Sequence, residues 1–190
     1  MRSLQLALLA AVVVCLIGAS GCSPASRPAD GESSAAAAVD SSGPPVKLAE
    51  VEEILARAKS PGAKATLVNV WAKWCGPCRE EFPGMLAVAR RHPGLRVVLV
   101  SADFDAQLGE ARKFLFAHGF TDSSYLKQGD DQAFIDGIDP RWSGALPATV
   151  LYDAAGNKVA FWEGAADSAK FEQAVTEALN PSHASQEVVR

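Results

Sequence analysis

Cys75 and Cys78, separated only by Gly76 and Pro77, are the residues whose type and spacing could do chemistry. Two thiols at this spacing can close a small disulfide ring where a helix begins at the first of them. A helix N-terminus presents unpaired N–H groups and a partial positive charge. That stabilises a thiolate at Cys75, and the thiolate is the nucleophile in disulfide exchange. Cys78, one turn in, would be the resolving thiol: Cys75 forms a mixed disulfide with a substrate and Cys78 releases it. Pro77 near the helix start lacks an N–H that would have no helical partner there. A structural staple is a poor alternative, because so short a loop constrains little chain entropy. Half of a zinc site is another, but zinc takes four ligands. His92, His118 and His183 are scattered without paired spacing. No metal and no cofactor is expected.

The elements that would position this pair can be read along the chain. Ala65 to Trp71 is a short apolar run that predicts a buried strand just before the cysteines. A helix is expected from Pro77 to Arg91, kinked at Pro83. Upstream, Leu48, Val51, Ile54, Leu55 and Ala58 recur at helical spacing, and Pro61-Gly62 ends that helix. Downstream, Leu95 to Ser101 is the clearest buried strand, followed by a helix over Ala106 to His118. Tyr125-Leu126 suggests a short strand and Asp131 to Ile138 a short helix. Ala148 to Tyr152 and Lys158 to Trp162, joined by a turn, predict an antiparallel hairpin. A last helix is capped by Asp167 or Ser168 and stopped by Pro181. Alternating strands and helices give an α/β fold with a largely parallel sheet and an antiparallel edge.

The 190-residue chain has room for one such domain and extra segments at its ends. Its net charge of −4 and lack of a basic block argue against nucleic acid as a partner. Arg2, the apolar run Leu4 to Ile17 and the small residues that follow have the three parts of a secretory signal. The run is short for a membrane-spanning helix. Ala19-Ser20-Gly21-Cys22 resembles the lipobox of bacterial lipoproteins, departing at Ala19, where leucine is commonest. The resemblance implies a signal peptide over residues 1–21, loss of Cys15 with it, lipid on Cys22 and a membrane anchor. Residues 22–45, rich in Ser, Ala and Pro, read as a flexible linker. Residues 46–180 are then the folded domain and 181–190 a frayed tail.

The run from Val70 to Pro83, VWAKWCGPCREEFP, resembles the active-site segment of thioredoxin-like proteins. Glu80-Glu81-Phe82-Pro83 makes it most similar to the exported TlpA/ResA-type disulfide reductases. The resemblance implies a thioredoxin-like fold with a central mixed sheet flanked by helices and a small insert, around Thr121 to Trp142, before a cis-proline strand. Pro147, within Gly144-Ala145-Leu146-Pro147-Ala148-Thr149, matches that cis-proline. The backbone of Leu146 would then pair with a substrate strand. Asn69 stands where thioredoxin carries a buried acid, and it cannot transfer a proton as that acid does. Glu81 matches the acid that the exported branch uses instead. On a helix it lies on the same side as Cys78, so contact is feasible, while a solvated Glu81 is the other reading. Trp74 is expected to shield the dithiol and Trp71 to be core. Lys73 and Arg79 either favour the thiolate by charge or are simply exposed. Trp142 either packs the insert or reaches the rim of the site.

The resemblance implies a protein-disulfide reductase in an extracytoplasmic, periplasm-facing setting. Its partners would be disulfide-bearing client proteins and a membrane thiol reductase as electron donor, since an oxidising compartment otherwise refills the disulfide. A thiol peroxidase would carry Thr or Ser where this chain has Ala72. An exported metallochaperone binding copper through the two thiols is the alternative from another class. Related folds that do this have a wider cysteine spacing and a partner histidine.

Overall fold

The computed structural model describes residues 43–180. The expected signal peptide, Cys22, nearly all of the linker and the tail from 181 lie outside the described residues. Six strands form one sheet: β1 (Val46–Ala49), β2 (Ala65–Trp71), β3 (Leu95–Ser101), β4 (Ser124–Lys127), β5 (Ala148–Asp153) and β6 (Lys158–Glu163). Their spatial order is β1-β4-β3-β2-β5-β6. The first four in that order run parallel, and β5 and β6 add antiparallel pairs at the other edge. The helices are α1 (Val51–Ala58), α2 (Gly76–Arg91), α3 (Leu108–Ala117), α4 (Asp131–Ile138) and α5 (Ser168–Leu179), with a 3-10 turn over Asp105–Gln107. This is a thioredoxin-like α/β fold, a mixed sheet covered by helices on both faces.

Alternation along β2 explains the two cores. Leu67 and Trp71 face α2, α3 and α5, where they meet Phe82, Met85, Leu115 and Phe171. Val68 and Val70 face the opposite layer with Ile54, Phe134 and Ile138 of α1 and α4. Every residue of β2 is buried, as a central strand between β3 and β5 requires. Asn69 shares the face of Leu67 and Trp71, so the one polar side chain among those three is sent towards α2.

The structure corrects the reading of the domain's first residues. Helical spacing from Leu48 predicts one helix, but Val46–Ala49 is a strand and the helix begins at Val51. β1 pairs in parallel with β4, and Leu48 there is 43 % exposed. A partner strand almost eighty residues away decides the conformation of a segment whose local pattern suits a helix. The sequence expects a kink at Pro83. α2 continues as helix from Gly76 to Arg91 with Pro83 inside it. The missing N–H leaves the Arg79 carbonyl without its helical donor.

Candidate active site

Cys75 is the N-cap of α2, in extended backbone at the end of the turn that follows β2. Gly76 and Pro77 form the first helical positions, and Cys78 is completely buried one turn in. The two cysteines form a disulfide, with Cα atoms 5.3 Å apart. The Cys78 N–H donates to Cys75 Sγ at 3.2 Å. The helix end thus points a donor at the sulfur that would carry negative charge after reduction.

The turn before the cysteines is held by a residue that the sequence reading missed. Asp103 is buried just after β3 and accepts the Lys73 N–H on both carboxylate oxygens, at 3.1 and 3.0 Å. The Ser101 hydroxyl donates to it at 2.7 Å. No motif marks Asp103 in the sequence; an acid two residues past a buried strand is its only signal. Lys73 itself pairs with Glu110 at 2.6 Å, and Arg79 is exposed. Trp71 is wholly buried, stacked on Phe114 at 4.9 Å. Trp74, by contrast, is 60 % exposed beside the dithiol.

Glu81 is 5 % exposed, so it is not a solvated helix residue. Its Oε1 accepts from Asn69 Nδ2 at 2.9 Å and its Oε2 accepts from the Ala166 N–H at 2.9 Å. Asn69 Nδ2 also donates to the Thr149 hydroxyl at 3.1 Å, across the Asn69–Thr149 register of β2 and β5. Burial raises the Glu81 pKa above the ordinary value of 4.5, against the lowering effect of its two donors and of the Lys170 charge. Thr149 and the Ala166 amide were not legible as site residues, because β5 and the segment before α5 reach Glu81 only in the folded chain.

The Leu146–Pro147 peptide bond is cis. Pro147 is buried, and its carbonyl accepts the Gly164 N–H at 2.8 Å. The backbone of Leu146 makes no hydrogen bond among the described residues. Two features hold the segment before it. Trp142 Nε1 donates to the Ala145 carbonyl at 2.7 Å, and Gly144 takes a φ of +89°. A side chain at Gly144 would be strained and would press on Ile135 at 2.9 Å. Trp142 is buried edge-on against Phe134 of α4, so it packs the insert, yet it also lines a groove of about 250 Å³ with Trp74, Phe104 and Leu146. Both readings of Trp142 therefore describe part of its position. Phe104, 76 % exposed, is a groove residue that the sequence reading did not single out.

A larger cavity of about 590 Å³ opens beside the first residues of β3, lined by Arg57, Arg90 and Arg96. It contains neither cysteine, and the chemistry lies at the opposite, C-terminal ends of β2 and β3. Among the described residues no cluster of His, Cys, Asp and Glu is arranged to hold a metal ion. His92 pairs with Glu172 and His118 donates to the Phe114 carbonyl, while His183 lies outside the described residues.

Residues 46–136 match the thioredoxin family model, a span that contains the cysteine pair but not Pro147. The thiol:disulfide interchange protein DsbE of Allochromatium vinosum is 37 % identical over 93 residues, covering 49 % of this chain and 48 % of that protein. HelX of Rhodobacter capsulatus, also named a thiol:disulfide interchange protein, is 34 % identical over 94 residues with the same coverage. The chain spans about half the length of these curated relatives. A crystal structure of a thioredoxin family thiol:disulfide interchange protein from Chlorobium tepidum superposes with a TM-score of 0.50 at 27 % identity, covering 61 % of this chain and 80 % of that one.

Proposed function

We propose that this chain, a thioredoxin-like domain similar to thiol:disulfide interchange proteins, is a thiol–disulfide oxidoreductase that reduces disulfides of exported clients. The observation that carries the reading is the Cys75–Cys78 disulfide at the N-terminus of α2. In the reduced state the Cys75 thiolate attacks one sulfur of a client disulfide and expels the other as a thiolate, which takes a proton from water. The Cys78 thiolate then attacks Cys75, which releases the second client thiol and leaves the oxidised pair. Two electrons pass from the dithiol to the client, and a donor must return them. A membrane thiol reductase is the donor that suits an extracytoplasmic protein.

Glu81 takes the proton from Cys78 as Cys78 becomes the attacking group. Its position at i+3 on the same helix, its burial and its raised pKa support that role. Leu146, whose backbone makes no hydrogen bond among the described residues beside cis-Pro147, offers main-chain hydrogen bonds to an extended client segment. Trp74 covers the dithiol and gives that segment an apolar contact. In this reading the TlpA/ResA likeness and the lipobox at Cys22 go together: the protein is exported, held to a membrane by lipid on Cys22 and spaced from it by residues 22–45.

Cys75→Ser is expected to abolish reduction of a disulfide substrate such as insulin, and retained activity would overturn the mechanism. Cys78→Ser is expected to accumulate mixed disulfides on Cys75, visible as adducts on a non-reducing gel. The equilibrium potential of the pair decides direction. A value near thioredoxin's, about −270 mV, fits a reductase, and one near about −120 mV fits an oxidant. Cys22→Ser is expected to move the protein from the membrane fraction to the soluble one.

A further inference from the structure

Asn69 lies at the middle of β2 with no exposed surface. Its amide nitrogen is fully used, donating to Glu81 Oε1 at 2.9 Å and to Thr149 Oγ1 at 3.1 Å. Its amide oxygen Oδ1 is buried and has no hydrogen-bond partner among the described residues. Native interiors rarely leave such an acceptor empty. The obvious repair, a half-turn of the amide, would put Oδ1 against Glu81 and Thr149 instead. That turn is open to an asparagine, whose terminal torsion is broad and two-fold.

The turned amide is disfavoured whenever Glu81 is charged. A carboxylate only accepts hydrogen bonds, so Oδ1 facing it would set acceptor against acceptor. The observed orientation, with the –NH2 towards Glu81 and the Ala166 N–H on its other oxygen, suits the ionised form. A protonated Glu81 reverses the preference. Its O–H needs an acceptor, and both of its present neighbours are donors. Turned, Oδ1 accepts that proton. Thr149 serves either orientation, because a hydroxyl both donates and accepts. In the observed orientation no described residue holds the oxygen end of the amide, so that end does not lock it.

We propose that Asn69 is a positioning residue for Glu81 whose amide takes two orientations, one for each protonation state of that carboxyl group. The inference rests on the reading of Glu81 as the proton acceptor for Cys78. During resolution the Cys78 S–H bond breaks, its electron pair stays on sulfur and its proton goes to Glu81. The amide turns to accept the new O–H. When Glu81 gives that proton to the client thiolate released from Cys75, the amide turns back. Both states come within reach because burial raises the Glu81 pKa while its donors hold it down. Among the described residues Lys170 of α5 is the charged group that acts on it. The groups facing it from β2, β5 and the segment before α5 are the neutral Asn69, Thr149 (through Asn69) and the Ala166 amide.

The test follows the Asn69 side-chain amide and the Glu81 carboxyl group by NMR in the oxidised full-length protein across pH. No turnover is required, so the amide is judged separately from the reductase reading. The expected result is that the Asn69 –NH2 signals shift with the same midpoint as the Glu81 carboxyl carbon. Glu81→Gln, which presents an –NH2 where the acid presents O–H, is expected to hold those signals near their low-pH position throughout. Signals that ignore the Glu81 midpoint, or that keep their high-pH position in Glu81→Gln, would overturn the proposal. In turnover, Asn69→Leu removes a donor to the carboxylate. It is expected to move the rising limb of the Cys78 resolution rate to higher pH, and an unmoved limb in a folded variant counts against it. A wild-type protein with the coupled titration but no disulfide reduction would instead sink the reductase reading and leave the two-state amide standing.

Discussion

Glu81 and the cysteines differ in what their surroundings demand of them. The Cys75 sulfur sits at a helix end where a donor already points at it, so charge there is favoured. Glu81 is buried, and charge there is opposed by desolvation and only partly restored by two donors. The sign of the stability effect follows. A folded-state pKa above the unfolded value means that the folded protein binds the proton more tightly. The stability this supplies is present in full below the ordinary value of 4.5 and is lost as pH rises through the raised pKa. Glu81→Gln is therefore expected to flatten this part of the pH dependence. Above the raised pKa the difference should reach about 1.4 kcal/mol for each unit of displacement. Urea unfolding of both proteins at several pH values between mild acid and weak alkali measures it. A wild type whose stability does not fall over that range, relative to the variant, would show that folding does not tighten proton binding at Glu81.

Between elements, glycine reports where helices approach closely. Gly137 lies in α4, and a methyl group there would meet Val51 of α1 at 2.8 Å. Gly137→Ala should push α4 from α1 and cost about 1–3 kcal/mol as overpacking. Gly109, in the first turn of α3, has no described residue within 4 Å of the corresponding position. Gly109→Ala should instead stabilise by about 0.4–1 kcal/mol through the unfolded chain. Denaturation midpoints of the two variants, moving in opposite directions, check both. Asp139 ties the end of α4 to β6. Its carboxylate is 2 % exposed and accepts from Arg141 at 2.8 Å and Lys158 at 2.9 Å. The Arg141 guanidinium above all holds it well below the usual carboxylate range. The stability it supplies is present above its unfolded value and lost as pH falls. Asp139→Asn should raise the pH at which the protein unfolds in acid, followed by circular dichroism.

At the scale of the molecule, the sheet divides the domain into two cores, and the site stands on one side of it. Cys75, Cys78 and Glu81 belong with α2, α5 and the Trp71–Phe82 core, while the insert β4–α4 packs the opposite layer. The groove of Trp74, Phe104, Trp142 and Leu146 is where the insert meets the dithiol end. The domain's entry is also pinned: Arg112 of α3 donates to the carbonyls of Pro44 and Gly43. A chain trimmed to residues 43–180 is expected to keep the cooperative thermal transition of the full chain and the insulin reduction proposed for it. Loss of either would place a needed contact outside the described residues.

Much of this was legible from residue order alone. Cys75-Gly76-Pro77-Cys78 after an apolar strand is a local pattern whose chemistry depends on spacing, and the bounds of β2 and β3 agree with the apolar runs Ala65–Trp71 and Leu95–Ser101. Those signals survive because a buried central strand and a helix N-terminus are specified by neighbours in sequence. The strand at Val46–Ala49 was not legible, since its conformation comes from β4. Nor was the setting of Glu81. Its spacing from Cys78 could be counted, but whether it faced water or the interior depended on β2, β5 and the chain before α5 closing around it. Local spacing determines which groups can react, and long-range burial and hydrogen bonding determine the protonation state in which they wait.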